Sequence, residues 1–158
     1  MSSLGTMARK VLPFFAKGRV VRGFGRGSKE LGVPTANFPD DVVENLPEEL
    51  CCGVYCGFAS IDNGTVYPMC LSIGWNPYYK NEKRTMETHI IHNFSEDFYD
   101  QQLKLVIVDF IRPMLDFTSL DELKSAIASD IVTSHKILAN DAAAALSKHE
   151  FFLLDEDV

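Results

Sequence analysis

Two extended segments joined by three turn residues restrict the fold of this chain most. Residues 53–61 alternate between two sets of side chains, and successive residues of a strand point to opposite faces of a sheet. Asp62, Asn63 and Gly64 follow, all of which tolerate positive φ, and residues 65–73 resume an extended pattern. This order predicts an antiparallel β-hairpin. The two faces of its first strand carry Val54, Cys56 and Phe58 on one side and Tyr55, Gly57 and Ala59 on the other.

The rest of the chain divides into further strands and a helical end. Residues 18–22, 85–94 and 103–112 are strand candidates. In the last third, apolar residues recur mostly at three- and four-residue steps, as they do along one face of a helix. We therefore predict a mainly β fold, a closed or nearly closed antiparallel barrel with a C-terminal helix. The predicted apolar face of that helix consists of Leu120, Leu123, Ile127, Ile131 and Leu138.

Polar residues mark the starts of two helices in this last third. Ser119 followed by Glu122 has the spacing of a capping box, in which each side chain bonds the other residue's backbone N–H. Asn140 is placed to cap a second short helix over residues 141–149.

The length and the net charge of the chain limit the number of domains and the classes of function that it can have. A chain of 158 residues has room for one domain, predicted over residues 17–154, with a disordered tail at 1–16 and an acidic tail at 155–158. The net charge of −7 argues against a nucleic-acid binder. The apolar runs are too short for a membrane span, and we expect a cytoplasmic monomer. The four cysteines, Cys51, Cys52, Cys56 and Cys70, lack zinc-ligand spacing and are predicted to be reduced.

Residues 17–29 combine positive charge with glycine. Gly23, Gly25 and Gly27 allow backbone N–H groups to approach and surround an anion. The segment lacks the ending of a Walker A loop and the spacing of a dinucleotide-binding fingerprint. It is either an anion-binding loop or a flexible glycine hairpin. Its basic residues, with no acid among them, are Lys17, Arg19, Arg22, Arg26 and Lys29.

Thr35 and Asn37 follow the glycine segment, two residues apart. In an extended segment both side chains project to the same face. Hydroxyl and amide oxygens are hard neutral ligands of the kind that Mg²⁺ accepts beside nucleotide phosphates. The pair is either a metal site or two solvated polar residues on a strand.

The run 86–92 contains one carboxylate and two histidines. Alternation along a strand places Glu87 and His89 on one face and Thr88, Ile90 and His92 on the other. Because the histidines point to opposite sides, a shared zinc ion is not expected. Glu87 is either an exposed polar residue or a general base for a substrate hydroxyl.

Together these segments resemble the riboflavin kinases, in their monofunctional eukaryotic form. The resemblance runs from residue 17 through the C-terminal helices. It depends on the residues that span 23–38, which contain P-T-A-N, on S-I-G-W-N-P-Y-Y-K at 72–80, on M-E-T-H at 86–89 and on I-R-P at 111–113.

The resemblance implies a six-stranded Greek-key barrel and assigns roles to individual residues. Glu87 matches the catalytic carboxylate, and Thr35 and Asn37 match the metal ligands. Leu115 stands where related proteins carry a lysine, which weakens the case for its flavin contact. The implied ATP-binding residues are Gly23, Lys29, Thr35, Asn37, Ile90, His92 and Tyr99, and the implied flavin-binding residues are Arg112, Leu115 and Phe117.

The implied activity is transfer of the γ-phosphate of Mg-ATP to riboflavin, giving FMN and ADP. Mg²⁺ is the expected ion, with Zn²⁺ or Mn²⁺ as alternatives. About 17 residues precede the barrel, too few for an adenylyltransferase domain, so FAD synthesis is not expected. A non-catalytic flavin or nucleotide carrier and a kinase for another small alcohol are the competing readings. A carrier needs no catalytic base, so Glu87 beside the pair of metal ligands argues against the carrier.

Overall fold

The computed structural model describes residues 3–21, 35–75, 84–92 and 100–153. Three predicted site residues, Gly23, Lys29 and Tyr99, lie outside these ranges. The described helices are α1 (Ser3–Arg9), α2 (Asp40–Glu44), α3 (Leu120–Leu138) and α4 (Asp141–Ala145), followed by 3₁₀ turns at Leu146–Lys148 and Glu150–Leu153. The described strands are β1 (Phe14–Arg19), β2 (Ala36–Asn37), β3 (Gly53–Ile61), β4 (Tyr67–Trp75), β5 (Arg84–Ile90) and β6 (Gln102–Arg112).

The six strands form one curled antiparallel sheet in the order β1-β6-β3-β4-β5-β2. Val21, two residues past β1, forms an isolated bridge with Asn37 of β2, and its N–H donates to the Asn37 carbonyl at 2.8 Å. This bridge joins the two edge strands. The predicted mainly β fold, a six-stranded antiparallel barrel with a C-terminal helix, is therefore confirmed.

The predicted hairpin is present as β3 and β4. Strand β3 has the predicted bounds, and the turn places Asp62 and Asn63 at φ values of 50° and 58°. Strand β4 begins and ends two residues later than predicted. Cys56 and Cys70 lie opposite each other in the register. All four cysteines are free, as predicted, and burial raises the pKa of the Cys56 thiol to about 12.

Both faces of β3 are buried, but in different clusters. Tyr55 and Ala59 belong to the barrel interior, whereas Cys56 and Phe58 belong to a second cluster outside the barrel. This second cluster includes Leu138 near the end of α3. The predicted alternation is confirmed, and the outer face requires a covering helix because its side chains are apolar.

Helix α3 begins where the sequence predicts, with one change in its cap. The Ser119 hydroxyl accepts from the Glu122 N–H at 3.1 Å. The Glu122 carboxylate accepts from the N–H and the hydroxyl of Thr118, at 2.9 and 2.8 Å. These bonds lower the pKa of Glu122, and the bond from the Thr118 N–H has the larger effect. The expected return bond to the Ser119 N–H is therefore replaced by bonds to Thr118.

The second predicted helix is shorter than expected. Asn140 caps it by accepting from the Ala142 N–H at 3.0 Å, as predicted. Helix α4 ends at Ala145 and continues as 3₁₀ turns. No helix in the described ranges has both the length and the apolarity needed to cross a bilayer.

The prediction of a disordered tail over residues 1–16 is wrong for residues 3–16. Helix α1 occupies Ser3–Arg9, and β1 begins at Phe14, opposite Ile107 of β6. The Arg9 side chain pairs with Asp109 of β6 at 2.8 Å. Ala8 is fully buried. The segment is ordered by contacts with β6, about 100 residues away, which the local composition does not reveal.

Gly57 provides a test of the strand packing. A Cβ added there would lie 1.8 Å from the Val106 carbonyl oxygen, at an irregularity in the β3–β6 register. We expect Gly57→Ala to lower the free energy of unfolding by about 1–3 kcal/mol or more, because the two backbones must separate. Denaturant unfolding measures the change.

Gly74→Ala is the matched control, since Gly74 is also in a strand and an added Cβ there meets its nearest atoms at 3.9 Å. We expect its free energy of unfolding to stay within about 0.5 kcal/mol of the parent chain or to rise slightly. Equal effects of the two substitutions would contradict the close approach of Gly57 to the Val106 carbonyl.

Candidate active site

A cavity of about 240 Å³ lies between helix α3 and the outer face of β3, β4 and β5. Its walls combine strand residues, the segment that follows β6, and one face of α3. The cavity brings together predicted residues from both halves of the chain. Its lining consists of Thr35, Val54, Cys70, Leu71, Ser72, Glu87, His89, Arg112, Met114, Leu115, Phe117, Leu123, Ile127, Asp130 and Ile131.

Strand β5 supplies the carboxylate of the cavity. Met86, Thr88 and Ile90 are buried, whereas Glu87 and His89 are half-buried and line the cavity. The alternation predicted for this run is therefore confirmed. It follows from the two-residue period of a strand whose other face packs into the barrel.

The second histidine lies elsewhere. His92 follows the end of β5, and its ring stacks on Tyr67 with centroids 3.9 Å apart and planes at 16°. His92 is not part of the cavity lining, so His89 and His92 do not share a site. Among the described residues, no group of three or more His, Cys, Asp or Glu side chains could hold a metal.

Thr35 and Asn37 lie beside Glu87. Strand β2 pairs with β5 so that Asn37 stands opposite Glu87. The Asn37 amide donates to the Thr35 hydroxyl at 3.2 Å, and Thr35 lines the cavity. The Asn37 side chain is buried, which rules out the reading that both residues are solvated strand positions. A hydroxyl just before β2, an amide in β2 and a carboxylate in β5 are thus gathered close together.

The three predicted flavin-binding residues lie at the end of β6 and on the segment that follows it. Arg112 ends β6, and its guanidinium carbon lies 5.9 Å from the centroid of the Phe117 ring. Leu115 also lines the cavity, although about half of the residue is exposed. The structure therefore brings Arg112, Leu115 and Phe117 to one cavity with Glu87 and Thr35.

Asp130 is a cavity residue that was not predicted from the sequence. Its carboxylate accepts from Arg112 Nε at 2.9 Å and from a terminal Arg112 nitrogen at 2.7 Å, a bidentate pair. Asp130 is buried in α3 and lines the cavity. An acid three residues after Ile127 and next to Ile131, within the apolar face of a helix, is the signal that could have identified it.

The apolar face of α3 forms the roof of the cavity. Leu123, Ile127 and Ile131 are half-buried and line it, whereas Leu138 at the far end is buried against the outer face of the sheet. Leu120, the first residue of the predicted face, is about half exposed. The face is therefore confirmed, and its middle residues cover a cavity rather than the barrel interior.

A second polar contact holds α3 to the sheet. The Ser134 hydroxyl donates to the Asp130 carbonyl at 2.7 Å and lies 3.3 Å from the Cys70 sulfur in β4. Burial raises the pKa of the Cys70 thiol to about 11, so this thiol is neutral at neutral pH. The cavity wall at Cys70 therefore carries no thiolate charge.

Two predicted nucleotide contacts, Ile90 and His92, are not part of the cavity lining. Ile90 is buried in the interior cluster of the barrel. Its predicted contact with the adenine end of ATP, like that of His92, stays a prediction, as do the roles of Gly23, Lys29 and Tyr99.

Comparison with known proteins identifies the family. The family model "Flavokinase: Riboflavin kinase" matches residues 11–138. The riboflavin kinase of Mus musculus is 55% identical over 141 residues, which cover 89% of this chain and 91% of the relative, and that of Homo sapiens is 53% identical with the same coverage. The crystal structure of riboflavin kinase from Trypanosoma brucei superposes with a TM-score of 0.74 at 29% identity and covers 92% of each chain. The chain therefore belongs to the riboflavin kinase family.

Proposed function

We propose that this chain transfers the γ-phosphate of ATP to the 5′-hydroxyl of riboflavin, giving FMN and ADP. The observation that carries the proposal is the single cavity lined by both Glu87 and Arg112. A carboxylate suited to accept a hydroxyl proton and a cation suited to hold a polar ring are thus available to one substrate. The membership in the riboflavin kinase family supplies the identity of that substrate.

The chemistry of the walls supports one orientation of riboflavin. The flavin ring is flat and largely apolar, and Phe117, Ile127 and Ile131 provide apolar surface near Arg112. The ribityl chain carries hydroxyls and suits the polar side chains of Glu87 in β5 and of Thr35, which directly precedes β2. In this orientation the ring lies under α3, and the reacting hydroxyl lies beside β5.

The residues beside Glu87 fit a magnesium ion. Thr35 and Asn37 are in contact, and Glu87 stands on the neighbouring strand opposite Asn37. These hard oxygen donors suit Mg²⁺ or Mn²⁺, whereas zinc prefers nitrogen and sulfur ligands. We propose that Thr35 and Asn37 hold Mg²⁺, which when bound neutralises charge on the ATP phosphates.

Glu87 is the proposed catalytic base. The ribityl hydroxyl is a weak nucleophile until its proton is lost or shared, and a carboxylate within hydrogen-bond reach can accept that proton. The strand backbone holds Glu87 in place, since β5 is paired with β4 on one side and β2 on the other. Phosphoryl transfer depends mainly on such positioning and on electrostatic stabilisation.

The compartment, the oligomeric state and the binding partners of the enzyme are also proposals. We propose a cytoplasmic monomer that binds riboflavin, FMN, ATP and ADP and engages neither nucleic acid nor a membrane. The net charge of −7 supports the part that concerns nucleic acid.

The activity is tested by incubating the purified chain with riboflavin and Mg-ATP and separating the flavins by chromatography. We expect FMN and an equal amount of ADP, because one phosphoryl group moves per turnover. ADP without FMN would indicate hydrolysis or another acceptor. No FMN from folded protein would refute the proposal.

Glu87→Gln tests the base. The substitution keeps the size of the side chain and removes its charge and its ability to accept a proton. We expect kcat to fall by about 10²-fold or more while riboflavin binding, followed by flavin fluorescence, stays near that of the parent chain.

Asp121→Asn is the matched control, because Asp121 is an exposed acid in the first turn of α3 and lies outside the cavity lining. Its kcat should stay within about twofold of the parent value, as for most surface substitutions. A Glu87→Gln enzyme with kcat in the same range would show that Glu87 is not the base.

Asn37→Ala and Thr35→Ala test the metal site. Each substitution removes one proposed oxygen ligand, so we expect the Mg²⁺ concentration for half-maximal activity to rise about tenfold or more. Activity measured against Mg²⁺ concentration gives this value, and thermal unfolding checks that the buried Asn37 position still folds.

Asn45→Ala is the control for the asparagine. Asn45 is exposed and bonds the Asp41 carbonyl at 2.8 Å, away from the cavity. Its Mg²⁺ dependence should match that of the parent chain. If both test variants also matched the parent at limiting Mg²⁺, the ion would be held by other groups.

A further inference from the structure

The carboxylate of Asp130 binds the guanidinium of Arg112. It forms a bidentate pair with Arg112, through N–O distances of 2.9 and 2.7 Å. The side chains of Arg112 and Asp130 are 21% and 10% exposed. The pair spans from the last residue of β6 to the middle of α3, and both residues line the cavity.

The pair restricts the position of the guanidinium. An arginine side chain has several rotatable bonds but a rigid planar fork of five N–H donors. Two donors bond Asp130, and a third bonds the Pro113 carbonyl at 3.2 Å. The two parallel bonds to Asp130 and the bond to Pro113, which points another way, together fix the plane of the fork. Two N–H donors are left for a ligand in the cavity.

The pair also sets the charge of this part of the cavity. A lone guanidinium in a partly buried site would favour an anionic ligand. The Asp130 carboxylate cancels that charge while leaving N–H donors in place. The site then suits a neutral ring that carries hydrogen-bond acceptors, which describes the polar edge of a flavin.

We propose that Asp130 is a positioning residue for the flavin ring: it holds Arg112 in the cavity wall with its charge neutralised, so that the free N–H donors of Arg112 meet the ring. This inference rests on the proposed function, since it assigns the flavin ring to this part of the cavity. Asp130 acts through Arg112 and does not itself touch the reacting atoms.

The structure offers a way to separate this role from a purely mechanical one. Helix α3 is also held to the sheet by the contact between Ser134 and Cys70, one turn along from Asp130. Loss of that contact should weaken the attachment of α3 without changing Arg112. Ser134→Ala is therefore the control for helix attachment.

The experiment compares Arg112→Met, Asp130→Asn and the double variant in the FMN-forming assay, with KM measured for each substrate. We expect each single variant to raise the riboflavin KM by about tenfold or more and to change the ATP KM by less than about twofold. Ser134→Ala should lower Tm and leave the riboflavin KM within about twofold.

The double variant separates stability from positioning. Each single substitution leaves one buried charge without its partner, whereas the double variant removes both charges. We expect the Tm of the double variant to exceed that of either single variant. Its riboflavin KM should equal that of Arg112→Met alone, because Asp130 has no effect once Arg112 is absent.

Arg112→Lys gives a second route if a neutralising variant fails to fold. Lysine keeps the charge of the ion pair but lacks the bidentate fork. We expect a Tm near that of the parent chain and a riboflavin KM raised by about tenfold.

Three results would overturn the positioning role. They are a riboflavin KM unchanged in folded Asp130→Asn or Arg112→Lys, equal changes in the two KM values, and additive effects on riboflavin KM in the double variant. An inactive parent chain would instead refute the proposed function, so the two failures are distinguishable.

Discussion

The burial of both faces of the central strands is the constraint on which the site depends. Strand β3 lies between β4 and β6, with Tyr55 in the barrel interior and Phe58 in the outer cluster. The apolar outer face must be covered, and α3 covers it. Near Leu138 the helix packs directly on the sheet, whereas its earlier turns leave a cavity of about 240 Å³. The same helix therefore completes one part of the core and encloses the candidate substrate site.

Strand register decides which side chains reach the cavity. Because neighbouring residues of β5 point to opposite faces, a shift of one residue would bury Glu87 in the barrel and turn Thr88 outward. The pairing of Asn37 with Glu87, and the bridge from Val21 to Asn37, fix this register at the point where the barrel closes. The strand pairings that close the barrel therefore also bring the Glu87 carboxylate beside the proposed metal ligands.

Sequence patterns correctly predicted the elements whose formation depends on residues close together in the chain. The alternation of β3, the positive φ values of Asp62 and Asn63, and the Ser119 cap each depend on residues close in sequence, and each is confirmed. The order of residues 3–16 was missed because it depends on contacts with β6, which is distant in sequence. The bond that the Thr118 N–H donates to the Glu122 carboxylate was missed because two nearby N–H groups compete for one carboxylate. Asp130 was missed because its partner Arg112 lies 18 residues away on another element. Spacing alone does not reveal such a pair.

The backbone holds Glu87 more firmly than it holds Arg112, and this difference matches the chemistry proposed for each part of the cavity. Glu87 is held by a strand with partners on both sides, and a phosphoryl transfer loses rate steeply when its groups move by about 1 Å. Arg112 ends a strand and leads into a segment without regular secondary structure, in which Leu115 is about half exposed. Such a segment supplies less rigidity from its backbone. A bidentate pair with a residue of α3 therefore provides orientation that the backbone does not, which explains why a buried carboxylate lies within the apolar face of that helix.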